Sequence, residues 1–485
     1  MEATILDCYT DEPAGLGVPP YLGTYPRYLF GALDNPTYLT IDDLRLYFRH
    51  KSIVPAKQVK TDTRILNLTR NYQNVAKILE QTDELVVIAG IQTPGKYLTA
   101  VPGTLFEINE MIKQLGCKKI LAGPAASTGT RLEGGKFAEK IDTSCFDEIN
   151  ENYAGIDDYG KIKTLAVKGA AIVKQIPYPV IAELETGRGC LRKNFCSFCT
   201  EPLKHRLEWR SPDDIFDEAK ALREAGVKYF RLGKQSCFYS YKNGNAGEME
   251  TLLKTVASLK PEVLHIDNAD PAMVDEEKTK LIVKYCTPGN IAAFGVESFD
   301  KDVIKQNNLN SNPEMVLEAV KIINKIGGKR GSNGMHCLLP GINILFGLIG
   351  ESRKTHDENM HWLKKILDAN LLLRRINIRQ VAIFEGTKIK EEAGNKFLRK
   401  NNRFYWKWRN AIRQEIDLPM LKRLVPEGTV LTDCRTEIHD GNTTFARQFG
   451  TYPLIVGIKK RLPLGEMHNV KVTGHMLRSV VGEIV

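Results

Sequence analysis

Three of the ten cysteines, Cys190, Cys196 and Cys199, fall within ten residues in the string GRGCLRKNFCSFC. The other seven, Cys8, Cys117, Cys145, Cys237, Cys286, Cys337 and Cys434, lie far apart. Three thiols crowded into one loop suit metal, cluster or redox work rather than disulfide bridging. Thiolates hold iron-sulfur clusters, and three of them can bind three irons of a cubane, leaving the fourth iron open to an outside ligand. Zinc is the competing reading, but a structural zinc site asks for a fourth protein ligand, and the nearest histidine is His205.

The elements that must position this loop follow from changes of pattern along 485 residues. That length argues for several domains. With 42% hydrophobic and 26% charged residues, the chain has ample core material and no composition typical of disorder. No run of about 18 apolar residues occurs, and the start MEATILDCYTDEP lacks the basic and apolar segments of a secretory signal. A cytoplasmic protein away from membranes is expected.

Residues 1–136 alternate short apolar runs with helical periodicity (ATILDCY, ELVVIAGI, TLFEINEMIKQLG, KKILAGPAAS), the βαβ order of a Rossmann-like parallel sheet with Gly90 and Gly123 at strand ends. Residues 137–178 read as a connector. Over 179–390, six candidate strands, PVIAELE, KYFRLGK, VLHIDNA, IAAFGVES, GINILFGL and INIRQVAIF, alternate with helical patterns. That order predicts a partial (β/α)6 barrel, short of the usual eight units. Residues 391–428 form a basic, aromatic linker. Residues 429–485 hold five short β-type runs broken by Gly and Pro, which predict a small β-barrel. The fold class is therefore α/β, with a Rossmann-like N-terminal domain, a partial barrel and a C-terminal β-barrel.

Charge is unevenly placed. From Lys396 onward, 16 Lys and Arg stand against 8 Asp and Glu, so +8 of the net +10 sits in the last 90 residues. A basic region on a nearly balanced body suggests an anionic partner, nucleic acid first, or else merely a soluble basic face.

With its cysteine loop directly after the first barrel strand, the sequence resembles the radical S-adenosylmethionine (SAM) superfamily. The second cysteine gap and Phe198 agree with the family pattern; the first gap, of five residues, is two longer than usual, by Lys193 and Asn194 or their neighbours. FGVESFD is similar to the fourth-strand motif, in which Glu297 and Ser298 would lie near the SAM sugar and amino acid. GINILFGLIGES and QVAIFEGTKI resemble the fifth-strand and sixth-strand segments. The second strand ends in RLGKQS, where many members carry Gly-Gly-Glu. Gly233 fits, whereas Lys234 and Gln235 supply no carboxylate, and Gln235, Ser236 or Asn268 would accept the methionine ammonium instead. The resemblance implies a 4Fe-4S cluster on Cys190, Cys196 and Cys199, and SAM held by Phe198, Gly233, Gln235, Asn268, Glu297 and Ser298. It also implies SAM cleavage to a radical that abstracts hydrogen from a substrate carbon, and an electron donor such as ferredoxin or flavodoxin.

The N-terminal region is similar to cobalamin-binding domains that precede many radical SAM cores, although the Asp-x-His-x-x-Gly ligand motif is absent, which makes cobalamin a candidate third cofactor. Methylthiotransferases with an auxiliary cluster are a second comparison, with Cys8, Cys117 and Cys145 as the available thiols, and a purely structural or substrate-binding domain is a third reading. The stretch from Thr443 to Val485 resembles the TRAM domain, an RNA-binding barrel. Arg435, Arg447, Lys459, Lys460, Arg461, Lys471 and Arg478 would then contact phosphates. In the linker, NKFLRKNNRFYWKWRNAIR interleaves seven basic residues with Phe404, Tyr405, Trp406 and Trp408, either a base-stacking surface or an amphipathic helix capping the barrel. These features together predict a radical SAM transferase that methylates or methylthiolates a carbon of tRNA. The competing readings are a radical SAM enzyme acting on a small molecule or protein side chain, and a non-catalytic iron-sulfur or zinc RNA-binding protein.

Overall fold

The computed structural model describes residues 2–10, 17–50, 67–90, 100–130 and 142–485. Strand β1 (Ala3–Asp7) opens an all-parallel N-terminal sheet, while the next strand, β2 (Tyr21–Leu22), leaves it to pair with the central barrel. β3 (Thr37–Thr40), β4 (Glu84–Ile88), β5 (Lys118–Ala122) and β6 (Glu148–Ile149) complete the first sheet in the order β3-β1-β4-β5-β6. β4 is buried throughout, as expected of a central strand covered on both faces. The Rossmann-like reading is borne out. Its expected limit at residue 136 lies outside the described residues.

The central domain is built from β7 (Ile181–Glu185), a small antiparallel pair β8 (Gly187–Arg188) and β9 (Glu208–Trp209), then β10 (Tyr229–Gly233), β11 (Val263–Ile266), β12 (Asn268–Ala269), β13 (Asn290–Glu297), β14 (Leu338–Phe346) and β15 (Arg375–Gln380). Two parallel four-stranded sheets result, β11-β10-β7-β2 and β12-β13-β14-β15. The run VLHIDNA divides between them at Asp267. Among the described residues neither β2 nor β15 has an outer neighbour, so the barrel stays partial, as expected, with an added N-terminal strand. The crossover helices start where the sequence supplies caps: Ser211 accepts from Asp214 N at 3.1 Å ahead of Pro212, and Asn312 accepts from Glu314 N at 3.0 Å ahead of Pro313.

The N-terminal region is tied into this barrel by more than β2. Arg27, on the helix Thr24–Ala32, is fully buried, pairs with Glu218 and donates to Glu183 O. An unpaired buried guanidinium would be costly, so these partners fix the helix in place. The connector also contains a helix, Tyr159–Gly169, and the basic linker is largely helical, Lys396–Ile412 followed by Leu418–Leu424.

β16 (Val430–Asp440), β17 (Thr443–Gln448), β18 (Ile455–Ile458), β19 (Met467–His475) and β20 (Val480–Ile484) close into a five-stranded barrel in the order β16-β17-β18-β20-β19. Its core includes Met335, Leu339, Leu421, Leu424 and Val425 from outside the barrel, so it is docked rather than tethered. Among the described residues no helix is long and apolar enough to cross a membrane.

Candidate cluster and cofactor site

Parallel strands gather their C-terminal ends at one mouth, and the loop after β7 and β8 carries the three cysteines there. Its entry is fixed by Gly189, at φ +78°, where a Cβ would stand 2.6 Å from the Arg206 carbonyl carbon. Gly189 N donates to Glu201 Oε1 at 2.7 Å and its carbonyl accepts from Ser236 Oγ at 2.9 Å. Between the cysteines, Ser197 is held by Asn307. Ser197 N donates to the Asn307 carbonyl at 2.9 Å and Ser197 Oγ to Asn307 Oδ1 at 2.7 Å. Asn307 is fully buried and also donates to the carbonyls of Val303 and Ile349, each at 2.8 Å. Ile389 N donates to the Ser197 carbonyl at 2.8 Å. The segments after FGVES and after FEGT, distant in sequence, thus grip the same loop.

The two extra residues of the first gap fall in a bulge where Lys193, Asn194 and Phe195 are exposed. The same stretch turns Arg192 inward: its Nη1 donates to Cys196 Sγ at 3.0 Å and its Nη2 to the Asn308 carbonyl. All ten cysteines are free. Burial pushes the Cys196 thiol up to about 11, against Arg192 and with Glu297 and Cys190 adding to the rise. Burial likewise pushes Cys199 up to about 12, with Cys196 and Cys190 again contributing. The three thiols lie on one loop, within electrostatic reach of one another. Among the described residues no group of three or more His, Cys, Asp or Glu is already arranged as a metal site. The donor set is nevertheless three soft ligands and nothing else, which fits iron-sulfur ligation. His205, the sequence candidate for a fourth zinc ligand, faces Glu201 with its Nδ1 at 3.2 Å from Oε1.

Around the mouth, Glu297 sits in the β-bulge where the β13–β14 register shifts, at φ +63°, a left-handed conformation uncommon outside glycine. It keeps a water-accessible face, yet the surrounding protein pushes its carboxyl up to about 7, against the pull of Arg379. Ser298 is buried, and its Oγ accepts from Asp300 N at 3.2 Å. Asn268 is half-buried and pairs with Ala293 in the sheet. Phe198 packs on a small apolar cluster with Val303, Leu348 and Ile389. Gly233 ends β10 opposite Glu185. Gln235 is buried, its Oε1 accepting from Thr186 Oγ1 at 3.0 Å. Glu297 lies within electrostatic reach of Cys196, whereas the side chains of Gln235 and Ser298 are committed to neighbouring backbone and hydroxyl groups.

Sequence reading passed over Asn307, Arg192, Arg379 and Glu185. Glu185 lies within PVIAELE, beside the cysteine loop. Although burial opposes it, Lys234, Arg188 and Arg210 hold its carboxyl down to about 2. Its Oε1 takes Tyr159 at 3.0 Å and Arg188 at 2.9 Å, and its buried Oε2 has no hydrogen-bond partner among the described residues, with Lys234 Nζ 3.9 Å away. The signal was the charged residue at the end of an apolar strand.

Comparison with known proteins agrees with this geometry. Residues 184–344 match the family described as the radical SAM superfamily. An uncharacterized protein of Methanocaldococcus jannaschii is 43% identical over 100% of this chain and 93% of its own length. One from Archaeoglobus fulgidus is 37% identical over 99% of this chain and 89% of its own. The ribosomal protein uS12 methylthiotransferase RimO of Clostridioides difficile is 25% identical over 30% of this chain and 32% of its own. The chain belongs to the radical SAM superfamily.

Proposed function

We propose that the protein binds a 4Fe-4S cluster through Cys190, Cys196 and Cys199, binds SAM at the adjoining barrel mouth, and methylates or methylthiolates a carbon of an RNA, specifically a tRNA. The observation that carries this reading is the placement of three free thiols on one anchored loop at the C-terminal end of a parallel barrel. When bound, a reduced cluster of this kind supplies the electron that breaks a carbon-sulfur bond of SAM, delivered by a ferredoxin or flavodoxin. The chain's own residues prepare the place. Asn307 and Gly189 set the loop, and Arg192 directs positive charge at Cys196. Glu297 offers a carboxyl at the bulge, and Asn268 a half-buried amide on the neighbouring strand. Gly233, Gln235, Ser298 and Phe198 shape the walls from behind.

The similarity to a methylthiotransferase over about a third of the chain favours group transfer to carbon. The basic helix and barrel favour an RNA substrate. The five-stranded parallel N-terminal sheet offers the layer on which cobalamin binds at strand ends, and we assign it that role, with no protein ligand to the metal.

The test is an anaerobic assay of protein reconstituted with iron and sulfide, given dithionite, SAM and bulk tRNA, beside Cys196→Ala. Formation of 5'-deoxyadenosine and S-adenosylhomocysteine that disappears in the variant supports the reading. Intact SAM with an iron-loaded wild type refutes it. Absorbance of the same sample after loading with hydroxocobalamin decides the cobalamin assignment.

A further inference from the structure

β15 reads Arg-Ile-Asn-Ile-Arg-Gln, and Ile376 and Ile378 are buried in the main core. Alternation then places Arg375, Asn377 and Arg379 on the opposite face. That face borders the open side of the partial barrel, because among the described residues β15 has no outer partner. Arg379 is exposed at the upper end of the strand, within electrostatic reach of Glu297 and so of the cysteine mouth. Arg375 lies at the lower end, its guanidinium over the Tyr452 ring at 4.1 Å.

Further guanidiniums continue the line toward the C-terminal barrel. Arg413 is buried; it donates to the Ile376 carbonyl at 2.6 Å and pairs with Asp417, and among the described residues its Nε has no hydrogen-bond partner. Arg409 stands 5.1 Å over the ring of Trp406, which is 62% exposed. Arg478 is exposed on the turn between β19 and β20. Among the described residues, Arg375, Arg409 and Arg478 have no ion-pair partner. Arg413, Arg375 and Arg409 all lie within electrostatic reach of Arg478, as does the carboxylate of Asp417. Asp417 is taken by Arg413, so the half-buried Arg409, the exposed Arg478 and the stacked Arg375 are left with no salt-bridged anion of their own among the described residues, and a polyanion would complement them.

We infer that Arg379, Arg375, Arg409 and Arg478, braced by the buried Arg413, form a phosphate-binding track along the open edge of the central barrel, which carries an RNA strand from the C-terminal barrel to the cysteine mouth. This rests on the RNA reading above and narrows it to one face. Two of the barrel arginines expected to contact phosphate are engaged elsewhere: Arg447 pairs with Glu437 at 2.7 Å, and Arg461 donates to the Gly441 carbonyl at 2.8 Å. Trp406, beside Arg409, supplies an aromatic face for an unpaired base.

The experiment is fluorescence anisotropy of the full chain with a labelled single-stranded RNA and with bulk tRNA as competitor, across a KCl series. Arg379→Ala plus Arg478→Ala is compared with Lys459→Ala plus Lys471→Ala, two lysines exposed on the C-terminal barrel. Arg478→Glu alone, on an exposed turn, gives a second readout, and unfolding midpoints are read for each variant. The arginine pair is expected to lower the slope of log affinity against log salt by about 2, and the lysine pair to leave it unchanged. Equal loss from both pairs, or no change from the arginine pair and Arg478→Glu, overturns the track while leaving RNA binding standing. A wild type that does not bind RNA even at low salt overturns the track and the RNA reading together.

Discussion

The Tyr452 hydroxyl donates to Asp267 Oδ1 at 3.2 Å, which plants a loop of the C-terminal barrel in the floor of the central one. Around it, Thr451 N donates to His265 Nδ1 at 3.0 Å, Tyr21 donates to the Gly450 carbonyl at 2.8 Å, and Phe449 stacks on Tyr229 at 4.4 Å. Asp267 passes the connection upward, pairing with Arg231, which also pairs with Glu183. A buried polar line therefore runs from the C-terminal domain through the barrel lumen toward the strand that precedes the cysteine loop.

Tyr452→Phe removes one hydrogen bond to a carboxylate that keeps Arg231, so a loss of about 1–2 kcal/mol is expected. Urea unfolding should still show one transition, because the two barrels share core residues. A separate early transition of the C-terminal barrel in the wild type would contradict the docked arrangement.

Gly450 has φ +152°, and a Cβ there would come 2.9 Å from His265 Cε1. Gly450→Ala must therefore push the loop off the histidine ring, and a loss of about 1–3 kcal/mol follows. Thermal unfolding of the variant checks it; an unchanged midpoint would mean that the loop is not seated against His265.

His265 gives the same interface a pH dependence. Burial lowers its pKa from 6.5 to about 4, and Nδ1 acts as an acceptor, so the folded state keeps the ring neutral. The unfolded chain takes up a proton first. Stability is therefore full above about pH 6.5 and falls as pH drops toward 4, by up to about 1.4 kcal/mol per pH unit from this group. His265→Gln should flatten that part of the stability profile between pH 6.5 and 4.5. An equal slope in both proteins would assign the effect to other groups.

The parallel strands of the central barrel were legible because short, largely apolar runs alternate with helical periodicity along the chain. β2 was not, since two residues, Tyr21 and Leu22, carry no period. The lumen was missed for a different reason: Glu183, Arg231 and Asp267 look like polar breaks in a strand, and only the folded barrel brings them into one line. The cysteine triad was visible from residue type alone, but its anchor was not. Asn307 lies more than a hundred residues away and resembles any asparagine at a helix end.

Asn307 makes that anchor testable. Asn307→Ala removes both side-chain donors to the Val303 and Ile349 carbonyls and the acceptor for Ser197 Oγ and Ile349 N. Leaving these buried groups unpaired should cost about 2–3 kcal/mol. The loop should also hold iron poorly, so iron per chain after reconstitution should fall well below wild type in protein that remains folded. Full iron content would show that the cysteines do not depend on this anchor.

The helix Lys396–Ile412 carries two opposed readings of its aromatics, and the structure divides them by face. Tyr405 and Trp408 are buried, with Trp408 stacked on Phe346 and His356. Phe404 and Trp406 face solvent. Truncating a buried tryptophan leaves a cavity as well as losing apolar burial, so Trp408→Ala should cost about 3–5 kcal/mol. Trp406→Ala should change stability by no more than about 0.5 kcal/mol. If Trp406 stacks on a base, the same variant loses about 1–3 kcal/mol of affinity for single-stranded RNA. Measured side by side, the two substitutions separate a cap from a contact surface on one helix. Equal destabilisation by both would return the whole stretch to a packing role, and an RNA affinity untouched by Trp406→Ala would leave binding there to charge alone.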